Sequence, residues 1–116
     1  MAEQDCIFCR IVEGTLPADV LYQDPAALAI RDANPQAPTH VLVIPKEHLD
    51  SLDDIGRKEE SLLGHLLRVA SRVANEHGLS DGGYRTVINT GAGAGQSVFH
   101  LHIHVLGGRE FNWPPG

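Results

Sequence analysis

GQSVFHLHIHVLGG, residues 95–108, places histidine at every second position: His100, His102 and His104. Successive side chains of a strand point to opposite faces of its sheet. The stretch therefore predicts a strand over 98–106, with its apolar side chains in the core and the three histidines on an open face. The apolar set is Phe99, Leu101, Ile103 and Val105.

Three interpretations fit such a row: a solvated polar face, a metal site or nucleophilic catalysis. Three histidines at strict spacing beside a glycine-rich loop disfavour a merely solvated face. On a regular strand the outer two rings would be about 13 Å apart, whereas zinc holds nitrogen ligands at about 2 Å. At most a subset could therefore ligate one metal. Neutral imidazole is a competent nucleophile toward phosphorus, and His102 alone has a histidine on each side, so it is the favoured nucleophile.

The rest of the chain predicts one α+β domain over residues 1–116. Apolar spacing near 3.6 residues indicates a short helix over 6–14, which Gly14 ends, and a long helix over 58–77, which Gly78 ends. Short links between the strands favour a five-stranded antiparallel sheet with the helices on one side. The predicted strands are 20–23, 27–32, 40–46, 84–90 and 98–106.

Composition narrows the function classes. The 116 residues carry a formal net charge of −6, which argues against a nucleic-acid polymer as partner because such proteins usually present a basic face. A small nucleotide remains compatible with this charge. The N-terminus predicts neither a signal peptide nor a membrane anchor, and no apolar run is long enough to span a bilayer. We therefore expect a cytoplasmic protein without a membrane partner.

The glycine-rich stretch GAGAGQS, residues 91–97, precedes the histidine strand. It is not a Walker A loop, since no Lys-Ser/Thr pair follows, and it is not a dinucleotide fingerprint, since a strand follows it. A flexible hairpin turn is one interpretation. The other is that Gln96 and Ser97, with Asn89 nearby, bind phosphate oxygens or a leaving group at the start of the strand.

Cys6-Ile-Phe-Cys9 has the C-x-x-C spacing of half a zinc site or of a redox pair. A redox role would need a thioredoxin-like context, which the predicted elements do not provide. Two incidental buried thiols are the remaining alternative. A disulfide is disfavoured in the expected reducing compartment.

His100-Leu-His102-Ile-His104-Val-Leu106 resembles the signature of the histidine-triad (HIT) family, in which histidines and hydrophobic residues alternate. Further matches extend over nearly the whole chain and resemble the nucleotide-binding (Hint) branch of that family. These matches are NPQAPTHVLVIPKEH, ESLLGHL, GYR, GAGQS, HVLGGR and the terminal WPPG.

The resemblance implies hydrolysis of purine nucleoside phosphoramidates, such as AMP joined to an amine like lysine, by a homodimer whose two sheets join into one. It implies no catalytic metal and leaves adenine and guanine undecided. Trp113 matches a segment that reaches toward the partner subunit's site and influences substrate choice. Alternatives are a dinucleoside polyphosphate hydrolase, and a non-catalytic nucleotide- or zinc-binding module. The WPPG ending favours the phosphoramidase.

The resemblance also implies residue roles. His102 attacks the α-phosphorus and forms a nucleotidyl-histidine, while His104 and His40 contact phosphate or relay protons. Asp32 contacts the ribose. The phosphate and the leaving amine are bound by Asn89, Gly95, Gln96 and Ser97. The base pocket is walled by Ile7, Phe8, Ile11 and Leu16, for which core packing is an equal alternative.

Some members of the wider family bind zinc through two cysteines and two histidines. The matching set here is Cys6, Cys9, His48 and His100, which would form a structural, four-coordinate site. Many members of the Hint branch lack this cysteine pair. His65 and His77 are assigned no chemistry.

Overall fold

The computed structural model describes residues 5–116. The N-terminal stretch that we expect to lack a signal peptide or membrane anchor includes residues 1–4. These four residues lie outside the described residues. Among residues 5–116, no helix is both long and apolar enough to cross a membrane.

The chain forms a five-stranded antiparallel sheet with two α-helices, so the predicted α+β class is confirmed. Strand order across the sheet is β1-β2-β3-β5-β4, and all four neighbouring pairs are antiparallel. Short 3₁₀ turns at Leu52–Asp54, Arg57–Glu59 and Ala92–Ala94 join these elements. The elements are α1 (Ile7–Glu13), β1 (Val20–Gln23), β2 (Ala27–Arg31), β3 (Thr39–Pro45), α2 (Glu60–Glu76), β4 (Tyr84–Val87) and β5 (Ile103–Gly107).

Both helices end where glycine was predicted to end them. Gly14 follows α1 with φ 84°, and its N–H donates to the carbonyls of Arg10 and Ile11. Gly78 lies just beyond α2 with φ 73°. Only glycine adopts this left-handed conformation without strain, so the two residues define the ends of the helices.

The two helices lie on opposite faces of the sheet, so the expectation of helices on one side is wrong. Leu66, Val69 and Val73 of α2 pack with alternate residues of β2, β3 and β5 in one core. Phe8 of α1 packs against the intervening residues of β2 and β3 in a second core. The reason lies in β2 and β3, whose runs are apolar on both faces and therefore need a cover on each.

The histidine strand is shorter than predicted, because β5 begins only at Ile103. Its ladder with β3 ends at the Val43–Ile103 pair, close to Pro45, which has no N–H to continue the pairing. The chain over 98–102 instead turns toward the segment after β3, where Leu101 N–H donates to the Leu49 carbonyl at 2.6 Å. Strand β4 pairs with β5, so it also ends early, at Val87 instead of residue 90.

Side-chain placement in this stretch corrects the simple alternation. Leu101, Ile103 and Val105 are buried as predicted, but Phe99 is 38% exposed. The histidine face is not open, since His100 is fully buried and His102 is 7% exposed. The second core, built on Phe8 of α1, covers this face of the sheet.

A partly buried carboxylate connects α2 to the turn between β1 and β2. Asp24 accepts hydrogen bonds from the N–H groups of Ala26 and Ala27, each at 2.8 Å, and from the Tyr22 hydroxyl at 2.7 Å. His65 of α2 places Nε2 2.6 Å from the same carboxylate. Burial raises the pKa of Asp24, but the hydrogen bonds from Tyr22, Ala26, His65 and Ala27 outweigh it, so the net pKa lies well below its usual value.

We expect Asp24→Asn to lower the free energy of unfolding by about 2 kcal/mol at neutral pH, since an amide replaces an acceptor of several hydrogen bonds. Because the folded-state pKa of Asp24 is lowered, its stabilisation exists above the unfolded-state pKa and is lost as pH falls below about 4. Urea unfolding of both proteins between pH 7 and pH 3 measures this. Asp81→Asn, at an exposed position, is the matched control. A difference between wild type and Asp24→Asn that does not shrink in acid would contradict the prediction.

Candidate functional site

A cleft of about 650 Å³ lies between α1, the loop that follows it and the exposed end of the sheet. The cleft is mainly apolar with a few polar groups in its lining, as is usual for small-molecule sites. Predicted site residues that line it are Ile7, Phe8, Ile11, Leu16, Asp32, Ser97, His102 and His104. Lining residues that the sequence did not single out are Pro17, Ala18, Asp19, Ile30, Arg31, Ala33, Leu42 and Val98.

His102 is held in a single tautomer. Its Nδ1 lies 2.8 Å from the His100 carbonyl, which can only accept, so Nδ1 carries the proton. The lone pair is therefore on Nε2. The Phe8 ring packs edge-on against the imidazole, with centroids 5.2 Å apart, and restricts its rotation. The result, for the neutral ring, is an oriented imidazole in the wall of the cleft with its lone pair on Nε2.

A second chain of hydrogen bonds fixes His104. The Gln36 N–H donates to His40 Nδ1 at 3.0 Å, so in neutral His40 the proton is on Nε2. That Nε2 lies 2.9 Å from His104 Nδ1, which must accept, and the His104 proton is therefore on Nε2. His102 and His104 rings are neighbours, with centroids 5.0 Å apart. The pair thus offers one lone pair and one N–H donor side by side.

The imidazoles of His104 and His40 are both held in the neutral form. Burial, together with the nearby His102 and His40, lowers the pKa of His104 to about 4, and Asp32 opposes this only in part. Burial also lowers the pKa of His40, although Asp32 Oδ2 is 3.3 Å from its Nε2. His104 therefore donates a hydrogen bond at neutral pH without carrying a charge.

We expect acid to destabilise the wild type more than His104→Gln. The folded-state pKa of His104 is about 4 against 6.5 for a free histidine, so the unfolded chain binds the extra proton between these values. Stability contributed by the neutral ring is therefore lost as pH falls from 6.5 to 4, with a slope of at most about 1.4 kcal/mol per pH unit. Urea unfolding from pH 8 to pH 4 with excess chelator measures the difference. A difference that is constant across this range would refute the prediction.

Three predicted phosphate-binding residues do not line the cleft. Gln96 is buried, and its side chain is used within the fold: Nε2 donates to the carbonyls of Asp50 and Val98, and Oε1 accepts from Gly91 N–H. Gly95 has φ 96° and ends the 3₁₀ turn. The Asn89 side chain lies beside Gly95. Gln96 and Gly95 thus shape the loop that presents Ser97 to the cleft.

Asp32 lies at the mouth of the cleft and also organises the loop after β2. Its Oδ1 accepts from Asn34 N–H at 2.8 Å. Among the predicted base-pocket residues, Phe8 is buried in the second core, whereas Ile7 is 44% exposed and lines the cleft without filling it. Phe8 therefore combines core packing with lining, and Ile7 is available for a ligand. Trp113 is 83% exposed within the described chain.

The four predicted zinc ligands converge at the N-terminus of α1. The Sγ and Nδ1 atoms of the set all lie within 4.8 Å of one another. Cys6 Sγ is 3.3 Å and Cys9 Sγ is 3.5 Å from His100 Nδ1, while Cys9 Sγ is 3.2 Å from His48 Nδ1. Tetrahedral zinc with its usual bond lengths separates such donors by about 3.3–3.8 Å, close to this arrangement.

The remaining nitrogens of both histidines have partners that suit metal binding. His100 Nε2–H donates to the Pro45 carbonyl at 2.8 Å, and His48 Nε2–H donates to Asp50 Oδ1 at 2.7 Å. Each ring thus directs the Nδ1 lone pair at the thiols, as second-shell partners do for metal-ligating histidines. The donor set fits zinc. Neither Pro45 nor Asp50 stood out in the sequence, although a carboxylate two residues after His48 was a local signal.

Comparison with known proteins places this geometry in a family. The profile described as the HIT domain matches residues 13–111. The chain is 53% identical over 116 residues to an uncharacterized HIT-like protein of Synechocystis, covering 100% of both. It is 52% identical over 113 residues to the 14 kDa zinc-binding protein of Zea mays, covering 95% of this chain and 87% of the relative.

Solved structures of HIT-family proteins superpose on the chain. A HIT family hydrolase of Legionella pneumophila superposes with a TM-score of 0.94 at 48% identity, covering 96% of this chain and 99% of that one. A zinc-bound histidine triad family protein of Mycobacterium smegmatis superposes with a TM-score of 0.79 at 33% identity, covering 99% and 82%. The family model, the sequence identities and the superpositions agree: the chain belongs to the histidine-triad (HIT) family.

Proposed function

We propose that the protein is a nucleoside phosphoramidate hydrolase of the Hint type, acting on AMP- or GMP-like groups joined to an amine. A hydrolase is supported by the similarity to the Legionella HIT family hydrolase. The observation that carries the proposal is the tautomer of His102: its Nδ1–H is bound to the His100 carbonyl, which leaves Nε2 as a nucleophile in the cleft.

In the first step, the His102 Nε2 lone pair forms a bond to the α-phosphorus. The substrate reacts in the form that is protonated on the bridging nitrogen. The P–N bond breaks, its electron pair stays on that nitrogen, and the amine leaves. His104 Nε2–H donates to a nonbridging oxygen and Ser97 contacts the phosphate or the departing amine. Donors already oriented before the reaction stabilise charge that develops in the transition state.

In the second step, water attacks phosphorus and releases a proton to solvent. The P–Nε2 electron pair returns to the imidazole, and the nucleoside monophosphate leaves. The His102 Nδ1–H stays hydrogen-bonded to the His100 carbonyl throughout both steps, so the ring keeps its orientation for the next cycle. A covalent intermediate of this kind divides one difficult displacement into two easier ones.

The base and ribose fit the remaining parts of the cleft. Ile7, Ile11 and Leu16 supply apolar walls for a purine, and Asp32 lies where a carboxylate can accept from ribose hydroxyls. A homodimer in which the exposed Trp113 reaches toward the partner subunit's cleft belongs to this proposal.

We further infer that Cys6, Cys9, His48 and His100 hold a structural zinc ion. The convergence of four donors and the zinc-binding relative from Zea mays support it. When bound, the ion would tie α1 to the segment before β5. Catalysis itself proceeds through the nitrogen atoms of His102 and His104 and requires no metal.

Rapid acid quenching followed by intact-protein mass spectrometry tests the proposed function. With an AMP–amine conjugate, we expect a transient adduct of one nucleoside monophosphate per chain and release of the free amine. The same panel includes a diadenosine polyphosphate, which the phosphoramidase should hydrolyse much more slowly. Preference for the polyphosphate would favour the dinucleoside polyphosphate hydrolase. If neither substrate gave turnover or an adduct, the result would favour a non-catalytic binding module.

A further inference from the structure

Arg109 lies where the segment after β5 meets the loop between β2 and β3. Its Nε donates to the Gln36 carbonyl at 3.1 Å, and its Nη1 donates to the Glu110 carbonyl at 3.1 Å. The guanidinium also stacks on Phe111, with Cζ 4.2 Å from the ring centroid. Arg109 thus connects the C-terminal segment to a loop 73 residues away in sequence.

Gln36 is fixed from both sides of its backbone. Its carbonyl accepts from Arg109, and its N–H donates to His40 Nδ1 at 3.0 Å. Its side-chain amide closes the loop by donating to the Asn34 carbonyl at 3.0 Å. The carbonyl and the N–H lie in two different peptide planes that share the Gln36 Cα, so Arg109 acts on the N–H by restricting the position of this Cα.

The Gln36 N–H helps to decide where the histidines carry their protons, together with Asp32 Oδ2, which lies 3.3 Å from His40 Nε2 and favours the same tautomer. With Nδ1 of His40 occupied as an acceptor, Nε2–H points to His104, and His104 keeps its own proton on Nε2. If His40 adopted the other tautomer, its Nε2 would accept from His104 Nδ1. His104 would then present a lone pair to a phosphate oxygen, which repels it.

We propose that Arg109 is a positioning residue, which fixes the tautomers of His40 and His104 by holding the Gln36 backbone. The role in catalysis rests on the proposed function, whereas the effect on the tautomers does not. Arg109 lies outside the cleft and contacts neither of the two histidines. It acts through one backbone residue.

Arg85 provides a matched control. It also stacks on Phe111, with Cζ 5.1 Å from the centroid, and its Nη2 donates to the Asn112 carbonyl at 2.7 Å. Its hydrogen bond and its ring contact are both with the C-terminal segment, whereas Arg109 bonds to Gln36. Arg85→Ala therefore loosens the same segment while leaving the Gln36 carbonyl bonded to Arg109.

Histidine-selective ¹⁵N NMR distinguishes protonated from unprotonated ring nitrogens and needs no substrate. We expect one tautomer each for His40 and His104 in wild type and in Arg85→Ala, and mixed tautomers in Arg109→Ala. Arg109→Lys, which retains a donor, should restore the wild-type pattern. With an AMP–amine substrate, Arg109→Ala should lower kcat about 10-fold while KM changes less than about 3-fold.

Two outcomes would overturn the proposal: wild-type ¹⁵N signals in Arg109→Ala, or the same mixture of tautomers in Arg85→Ala. Lower activity of Arg109→Ala with unchanged tautomers would assign its effect to the C-terminal segment and also overturn it. If Arg109→Ala did not fold, Arg109→Gln, too short to reach the carbonyl in the same way, takes its place. An inactive wild type would refute the proposed function, and the NMR comparison would still decide the role of Arg109.

Discussion

We expect the His102→Ala substitution to lower kcat/KM for an AMP–amine conjugate by at least about 10⁴-fold and to abolish the nucleotidyl adduct. The substitution removes the unprotonated Nε2, and neither neighbour can replace it. His104 keeps its proton on Nε2, and the His100 ring faces the thiols of Cys6 and Cys9. Steady-state kinetics and mass spectrometry of quenched reactions measure the two effects.

Two controls separate loss of chemistry from loss of the cleft. Binding of the product nucleotide by calorimetry should persist in His102→Ala, because Asp32 and the apolar walls are unchanged. His77→Ala removes a histidine whose Nδ1 contacts the Val73 carbonyl at the end of α2, and it should retain wild-type turnover. Comparable turnover by His102→Ala and wild type would show that another group attacks phosphorus.

Local periodicity predicted most of the fold. The spacing of Leu66, Val69 and Val73 predicted α2, and the alternation of Leu101, Ile103 and Val105 predicted the side chains that pack beneath it. The expectation of an open histidine face was wrong, because α1 covers that face. It failed at Phe99, because alternation assumes that the strand continues and the ladder stops at Ile103. The start of β5 depends on Pro45 in another strand, which the pattern of residues 98–106 does not contain.

The sequence indicated which residues a candidate site would contain, but not how they would be arranged. The family resemblance indicated His102, His104 and His40, but the tautomers depend on the His100 carbonyl and the Gln36 N–H. These are backbone groups, whose direction follows from the fold and not from residue type. Gln96 shows the converse case: its side chain suits phosphate, yet the fold uses its amide to close the glycine loop.

The first histidine of the triad has two functions that differ by atom. The His100 ring belongs to the cysteine cluster, while its backbone carbonyl accepts the hydrogen bond from His102 Nδ1–H. A metal ion on Nδ1 of His100 would therefore immobilise the residue that orients the nucleophile. Metal binding should stabilise the fold strongly and influence activity only through this orientation.

We expect removal of zinc by a chelator to lower the melting temperature by at least about 10 °C, which corresponds to about 3 kcal/mol for a domain of this size. The ion would cross-link α1 to the segments after β3 and before β5. Its loss also leaves two buried thiols and two imidazoles that one ion no longer holds together. Calorimetry with and without chelator, together with metal analysis giving about one zinc per chain, measures this.

Cys9→Ser completes a thermodynamic cycle that distinguishes a metal ligand from a packed thiol. If Cys9 stabilises the fold by holding zinc, the substitution should lower the melting temperature nearly as much as the chelator does. In the presence of chelator it should have little further effect, because the interaction that it removes is already absent. Equal destabilisation with and without chelator would assign Cys9 to core packing alone. A metal content near zero in wild type purified without added zinc would refute the site itself.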